Sequence, residues 1–380
     1  MNGPTGTGLE LLQQGLDHLA NVLEPNVRLV PRLDVARYGG VDAIVDLLPS
    51  DGGAPAQLAV EAKTKLTPRQ VEDHLLPRSE LIKQLYGTNL LVLAPWLARR
   101  TRELLREHEI GYLDLTGSVD LRVSRPTIVI HTEGAAREPR GGNASSVGSP
   151  TLAGPRAGRL VRALVDHSPP YRATQLSEAT GLSLPWVSKL LAQLNDQLLI
   201  RRDGRVVVHV DWADLLRARA EAYGLLRHNP YVSFVAPNGI RRVLDDMASG
   251  VLGTSGDEPE VIVTGHYAAS AVAPLASGGQ LMLYVRAGLD TVDGVADRLG
   301  LLRVDADADA DVLVLQAHDD VVFTGRRDVG GVPHVALSQL VVDCLAGPGR
   351  LPAEGEAVLR YMTEHEHEWR DTELSRVEPR

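Results

Sequence analysis

Residues 57–66 read QLAVEAKTKL, an apolar run that carries Glu61 and Lys63 one residue apart. Side chains alternate across a strand, so these two would share one face while Val60 and Ala62 point to the other. A carboxylate and an amine side by side on an otherwise apolar strand need a reason, and the neighbouring stretches supply the setting. VDAIVDLL at 41–48 reads as the preceding strand, with Asp42 and Asp46 on one face across Ile44 and PSDGGAPA as the hairpin connection. TPRQVEDHLLPRSELIKQL then reads as a helix capped by Thr67 with Pro68 at its first position, and NLLVLA at 89–94 as the next strand. Upstream, Leu9, Leu12, Leu16, Leu19 and Leu23 recur at helical spacing. A second helix, about 97–108, leads into GYLDLTG and a hairpin through 130. That order predicts an α/β domain over 1–133.

Segment 134–155, GAAREPRGGNASSVGSPTLAGP, is rich in Gly, Ser, Ala and Pro and reads as a flexible linker. The next unit, 156–223, has helical patterns in GRLVRALVDH, RATQLSEATG and SLPWVSKLLAQLNDQ, followed by two strands around the Asp-Gly turn of LLIRRDGRVVVHV. This is the order of a winged helix-turn-helix. Small residues (Ala173, Ser177, Ala179, Gly181) let the second helix cross the third closely, and Leu176, Leu182, Val187, Leu190, Leu191 and Leu194 have the spacing of a core. The third helix would offer Ser183, Trp186, Ser188, Lys189 and Gln193 to a major groove, while Arg201, Arg202 and Arg205 of the wing meet phosphates. Residues 224–380 mix strands (261–264, 281–285, 312–315) with helices (239–249, 335–345, 353–363), a further α/β domain.

Composition narrows the function classes. The 44% hydrophobic and 23% charged residues are those of a globular chain, and 380 residues suit two or three domains. No run is apolar enough to cross a bilayer and the start lacks a signal-peptide pattern, so a cytoplasmic protein with no membrane partner is expected. A single cysteine, Cys344, excludes an internal disulfide or a zinc finger and reads as core. The net charge of −10 excludes a protein that coats nucleic acid all over. Residues 156–222 nevertheless hold ten Lys/Arg against seven Asp/Glu, a net of +3, so the remainder sums to −13. So small an excess implies weak binding by one module, for which a homodimer is the usual remedy. No Gly-x4-Gly-Lys-Ser/Thr phosphate loop is present; DADADADV at 305–312 reads as a solvated loop, and His365 and His367 as part of a solvated tail.

Two resemblances add to this reading. GGVDAIVDLL…LAVEAK resembles the PD-(D/E)XK restriction-endonuclease-like superfamily, in which an Asp on one strand and Glu/Asp-x-Lys on the next hold Mg²⁺ and the lysine orients or activates the attacking water. The resemblance implies Asp42 (with Asp46 as second choice), Glu61 and Lys63 as catalytic residues, and Asp42 and Glu61 as metal ligands. Across the chain, VLAPWLARRTRELLREHEIGYLDLTGSVDL, VEAKTKLTPR, VTGHYAASAVAP and LVVDCLAGPGRLPAEGEAVL resemble bacterial helix-turn-helix proteins grouped with the abortive-infection, AbiEi-type antitoxin regulators. Relatives there commonly read D-L-x-G-N, whereas this chain has Asp114, Leu115, Thr116, Gly117 and Ser118. VIVTGHYAAS resembles the start of a nucleotidyltransferase-like fold. The following strand, GQLMLYVRA, has no acid to hold a metal, which implies a non-catalytic version.

The sequence thus predicts a DNA-binding transcriptional regulator, antitoxin-like, that grips duplex DNA through its winged helix and has a toxin or other protein as partner. The alternative is a Mg-dependent DNA endonuclease that uses Asp42, Glu61 and Lys63, with the winged helix for targeting.

Overall fold

A computed structural model of the chain describes residues 6–32, 40–135, 139, 151–252, 254–255, 258–259, 261–275, 277–286, 289–305 and 310–374. Most of the 134–155 segment, and residues 306–309 of the DADADADV run, lie outside the described residues. The fold is mixed α/β and divides into two compact units: Met1–Gly148 with Asp196–Leu198, and Ser149–Asn195 with Leu199–Arg380.

Unit 1 is a seven-stranded sheet in sequence order: β1 (Val27–Arg32), β2 (Ala43–Pro49), β3 (Ala56–Ala62), β4 (Asn89–Ala94), β5 (Gly111–Asp114), β6 (Val119–Val123) and β7 (Ile128–Thr132). Strands β3, β4 and β5 run parallel and the remaining neighbours antiparallel. Parallel strands need crossovers, and helices supply both. Helix α1 (Gly6–Leu23) covers one face, where Leu12, Leu16, Leu19 and Leu23 meet Val45, Leu58, Val60, Leu91 and Leu93. Of the leucines at helical spacing, Leu9 is exposed and Leu11 is buried in its stead. The other face is covered by the β3–β4 crossover and by α4 (Arg99–Glu107), through Val71, Leu75, Ile82 and Leu105.

The β3–β4 crossover starts where the sequence predicts. Thr67 caps α2 (Pro68–Gln70) and closes a reciprocal box with Gln70, and Pro68 sits where its missing N–H costs nothing. It is not one regular helix, however. Residues Val71–Leu75 form a π turn before α3 (Leu76–Tyr86), whose first turn holds Pro77. A proline inside an α-helix forfeits one hydrogen bond and clashes with the carbonyl four residues back. The wider π turn just ahead of Pro77 takes up that mismatch.

Unit 2 begins with α5 (Pro155–Asp166), the two-residue β8 (Tyr171–Arg172), α6 (Ala173–Thr180), α7 (Leu184–Asp196), β9 (Ile200–Asp203), β10 (Val206–Val210) and α8 (Trp212–Ala222). Strands β8, β10 and β9 make a small sheet. Gly181, at φ +65°, ends α6 in the left-handed region that glycine adopts freely, and Ser177 donates to the Leu182 carbonyl to fix the tight turn into α7. Leu176, Val187, Leu190, Leu191 and Leu194 are buried as their spacing predicts.

The chain continues through α9 (Leu225–His228), β11 (Tyr231–Val235), α10 (Ile240–Ala248), the paired β12 (Thr254–Ser255) and β13 (Glu258–Pro259), β14 (Val261–Thr264), α11 (Gly265–Ser270), β15 (Leu281–Val285), α12 (Leu289–Arg298), β16 (Leu302–Arg303), β17 (Val312–Gln316), a 3₁₀ turn (Asp320–Phe323), β18 (Arg327–Val329), β19 (Val332–His334), α13 (Leu337–Leu345), α14 (Leu351–Glu364) and α15 (Glu366–Trp369). Its seven-stranded mixed sheet has the order β16-β11-β17-β15-β14-β19-β18. One hydrophobic cluster runs from Leu160 and Leu190 through Leu215 to Leu283 and Val341, so the three-helix segment and this sheet share a core. Two arginines of α5 lock that union: Arg159 forks onto Asp319, and Arg162 donates to the carbonyls of Val321 and Thr324.

Candidate functional site

Unit 1 brings Asp42, Glu61 and Lys63 together at one end of its sheet. Glu61 lies near the C-terminal end of β3, and the β2–β3 register pairs Ala43 with Val60, so Asp42, just before β2, stands across from Glu61. The ladder runs on past the strand: the Asp42 N–H donates to the Val60 carbonyl at 2.9 Å, and Asp42 Oδ2 accepts from the Ala62 N–H at 2.8 Å. Asp42 is thereby fixed against β3. This is the carboxyl end of the parallel strands, where open α/β sheets hold ligands.

Glu61 is 3% exposed. A carboxylate so deep needs compensating charge, and two cations reach it. Lys63 Nζ lies 2.5 Å and Arg78 Nη1 3.4 Å from the same oxygen, Oε1. Oε2 is buried without a hydrogen-bond partner. Both cations keep access to solvent, with side chains 38% and 30% exposed. Arg78 sits in α3 just after Pro77, so the π turn and the proline together aim it. The sequence reading missed Arg78, because nothing in its spacing sets it apart from other helix arginines.

Asp46 is not part of this group. It shares the face with Asp42 but lies four residues along β2, roughly 13 Å at strand rise. Its Oδ1 accepts from Gln57 Nε2 at 2.7 Å, and its Oδ2 pairs with Arg32 of β1. The Asp114–Ser118 loop also has a structural explanation. Buried Asp114 accepts from the N–H of Thr116, Ser118 and Leu97 and from the Thr116 hydroxyl, so the carboxylate closes its own turn.

Among the described residues there is no group of three or more His, Cys, Asp or Glu that could hold a metal ion. Magnesium asks for less: it takes one or two carboxylates and keeps several waters. Asp42 and Glu61 fit such an ion on one observation, the buried and unpartnered Oε2 of Glu61.

In unit 2, the residues predicted to read DNA fall on one helix and one hairpin. Ser183, at the turn into α7, and Lys189 are exposed, Ser188 and Gln193 are half-buried, and Trp186 is half-buried against the core. Arg201 and Arg205 are exposed on the β9–β10 hairpin and Arg202 is half-buried. Downstream, the five residues of β15 are all buried and none is acidic. Gly265 and His266 of the GHYAAS stretch are buried, with His266 Nδ1 2.8 Å from Glu354 Oε1. His365 is also structural, stacked on Tyr361 at 4.2 Å and hydrogen-bonded to its carbonyl, and Cys344 is buried.

No family model matches the chain, and no curated protein does. Among solved structures, the apo form of EndoMS is similar at 18% identity and a TM-score of 0.22, over 30% of this chain and 48% of that one. A repair endonuclease from Pyrococcus abyssi is similar at 19% identity and a TM-score of 0.21, over the same shares. The chain spans about half the length of either. No described helix is long and apolar enough to cross a membrane.

Proposed function

We propose that this protein is a metal-dependent DNA endonuclease whose unit 1, of the restriction-endonuclease-like kind, carries the cleaving site and whose winged helix in unit 2 holds the duplex. One observation carries the reading: a buried carboxylate oxygen with no partner, Glu61 Oε2, stands at a strand end across from Asp42 and beside the half-buried Lys63. A buried, unsatisfied polar atom is costly, and proteins keep such atoms where a ligand completes them. Asp42 and Glu61 would hold Mg²⁺, which when bound polarises the phosphoryl group and offsets the charge that builds in the transition state. Lys63 can donate to a phosphate oxygen or orient the attacking water. In the hydrolysis a bond forms between the water oxygen and phosphorus as the water gives up a proton to solvent, the P–O ester bond breaks, and the departing oxygen takes a proton from solvent.

The exposed polar side of α7 and the arginines of the β9–β10 hairpin favour a second reading, a DNA-binding regulator that works without cleavage. In that reading unit 1 is a contact surface, the acid-free β15 belongs to a non-catalytic nucleotidyltransferase-like domain, and operator repression or a toxin partner would follow the antitoxin pattern. Single-turnover cleavage of an end-labelled duplex separates the two. The first reading expects Mg²⁺- or Mn²⁺-dependent cutting that falls at least 100-fold in Asp42→Ala and Glu61→Ala, an order typical of losing a group that acts in the transition state. Intact duplex under all conditions would leave the second.

A further inference from the structure

A second group of polar side chains meets in unit 2, and neither reading of the DNA chemistry uses it. Ser270 Oγ lies 3.5 Å from His266 Nε2, and His266 Nδ1 lies 2.8 Å from Glu354 Oε1. Ser270 and His266 stand four apart on α11, so both side chains share a face of the helix. Glu354 comes from α14, which packs on α11. A proton on Nδ1 satisfies the carboxylate and leaves the Nε2 lone pair for the serine hydroxyl. That is the relation of nucleophile, base and orienting acid in acyl transfer, and the 3.5 Å gap is of the looser kind found where no substrate is bound.

Burial grades the three in the order such a chain needs. The Glu354 and His266 side chains are 2% and 8% exposed, whereas Ser270 is half-buried and its neighbour Ala271 exposed. Glu354 Oε1 serves both His266 and Arg350, whose Nε is 3.6 Å away, and Oε2 is buried with no partner. A buried pair kept only to tie two helices together would be as stable with apolar side chains. Gly279 lies against the end of the ring that faces Ser270: a Cβ there would stand 2.7 Å from His266 Cδ2, the atom bonded to Nε2. Gly278 and Gly279 are exposed, and a Cβ on Gly278 would meet nothing within 4 Å, so this wall is bare backbone with room for a small substrate.

We propose that unit 2 hydrolyses short-chain carboxylic esters, with Ser270 as nucleophile, His266 as general base and acid, and Glu354 as the positioning residue that holds the ring. Ser270 Oγ bonds to the ester carbonyl carbon as its proton passes to His266 Nε2, and the carbonyl electron pair moves onto oxygen beside the Gly278–Gly279 backbone. When that pair returns, the C–O bond to the alcohol breaks and the alcohol leaves with the proton from Nε2. Water then attacks the acyl-serine and gives one proton to Nε2, and collapse frees the acid as Oγ takes that proton back.

The test uses the full chain in EDTA, which silences metal-dependent cleavage and keeps the result separate from the nuclease reading. One sample receives a fluorophosphonate probe, another p-nitrophenyl acetate. The probe adduct should map to Ser270 by peptide mass spectrometry, and ester turnover should fall at least roughly 100-fold in Ser270→Ala, with an unchanged thermal midpoint. Glu354→Gln should lower kcat by roughly 100-fold and leave KM unmoved, since Glu354 touches no substrate. A Glu354 that only braced the fold would instead lower the thermal midpoint and leave turnover per probe-reactive Ser270 unchanged. No adduct at Ser270, or ester turnover by Ser270→Ala at the wild-type rate, overturns the proposal.

Discussion

Replacing Arg159 with alanine should destabilise unit 2 by about 2–3 kcal/mol. The Asp319 side chain is 2% exposed and receives Arg159 Nε at 3.0 and 3.1 Å, Nη2 at 2.7 Å and the Val321 N–H at 2.9 Å. That two-donor grip holds the Arg159 guanidinium above its ordinary pKa against the opposing pull of burial. Removing one partner of a buried, hydrogen-bonded pair costs about 3–5 kcal/mol, because the other charge is left uncompensated. The Arg159 side chain is 29% exposed, so water screens part of the interaction and places the figure at or below the low end of that range. At about 2–4 °C per kcal/mol for a unit of this size, the midpoint should fall by roughly 5–10 °C. Tryptophan fluorescence in urea reports it directly, since Trp212 and Trp369 meet edge-to-face at 5.0 Å within this unit. Because the three-helix segment and the large sheet share a core, the loss should appear as one transition moved as a whole. Asp319→Ala on top of Arg159→Ala should then cost less than the two single changes summed. A loss below about 0.5 kcal/mol, typical of an exposed pair, or a unit 2 transition split into two parts of which only one moves, would refute the reasoning.

Metal, pH and DNA binding give three more predictions. Mn²⁺ at 100 times its dissociation constant should stabilise unit 1 by about 2.7 kcal/mol, and Glu61→Gln should abolish the gain in a thermal melt. Burial, against the hydrogen bonds from Thr264, Gln339 and Tyr284, pushes the Asp343 carboxyl from 3.8 up to about 6. An acid so raised adds stability that is full below the unfolded value and is lost as pH climbs through about 6, so Asp343→Asn should cost about 2 kcal/mol less at pH 7.5 than at pH 4.5 in urea titrations. In salt titrations of duplex binding, Arg201→Ala and Arg205→Ala should each lower the slope by about 0.9, whereas Lys189→Ala and Gln193→Ala should alter sequence preference.

Much of the site was legible because its chemistry is local. Glu61 and Lys63 sit two apart, strand alternation puts them on one face, and Thr67 with Pro68 marks the helix that covers them. Asp42 was legible as a partner because the hairpin register follows from a short turn. Asp46 stood as second choice since alternation fixes a face but not a position along it; Arg32, which pairs with it, lies on β1, whose VRLVPR carries two arginines and a proline, with Pro31 in an edge position. Arg78 was invisible for a related reason. Its aim depends on a π turn that Pro77 imposes, and a proline inside a helical pattern reads only as a break or kink. In unit 2 the three helices between 155 and 196 and the hairpin followed from apolar spacing and the Asp-Gly turn, while β8, two residues long, leaves no pattern to find. Leu9 shows the limit of spacing alone: the first turn of α1 turns it outward and buries Leu11.

Supercoiled plasmid incubated with the full chain and Mg²⁺ or Mn²⁺, beside a Glu61→Ala/Lys63→Ala variant, reads cutting and mobility shift on one gel. The nuclease reading predicts metal-dependent nicked or linear plasmid from wild type, none from the variant, and a retained shift in both. Shifted but intact plasmid from wild type would contradict it and leave a DNA-binding regulator.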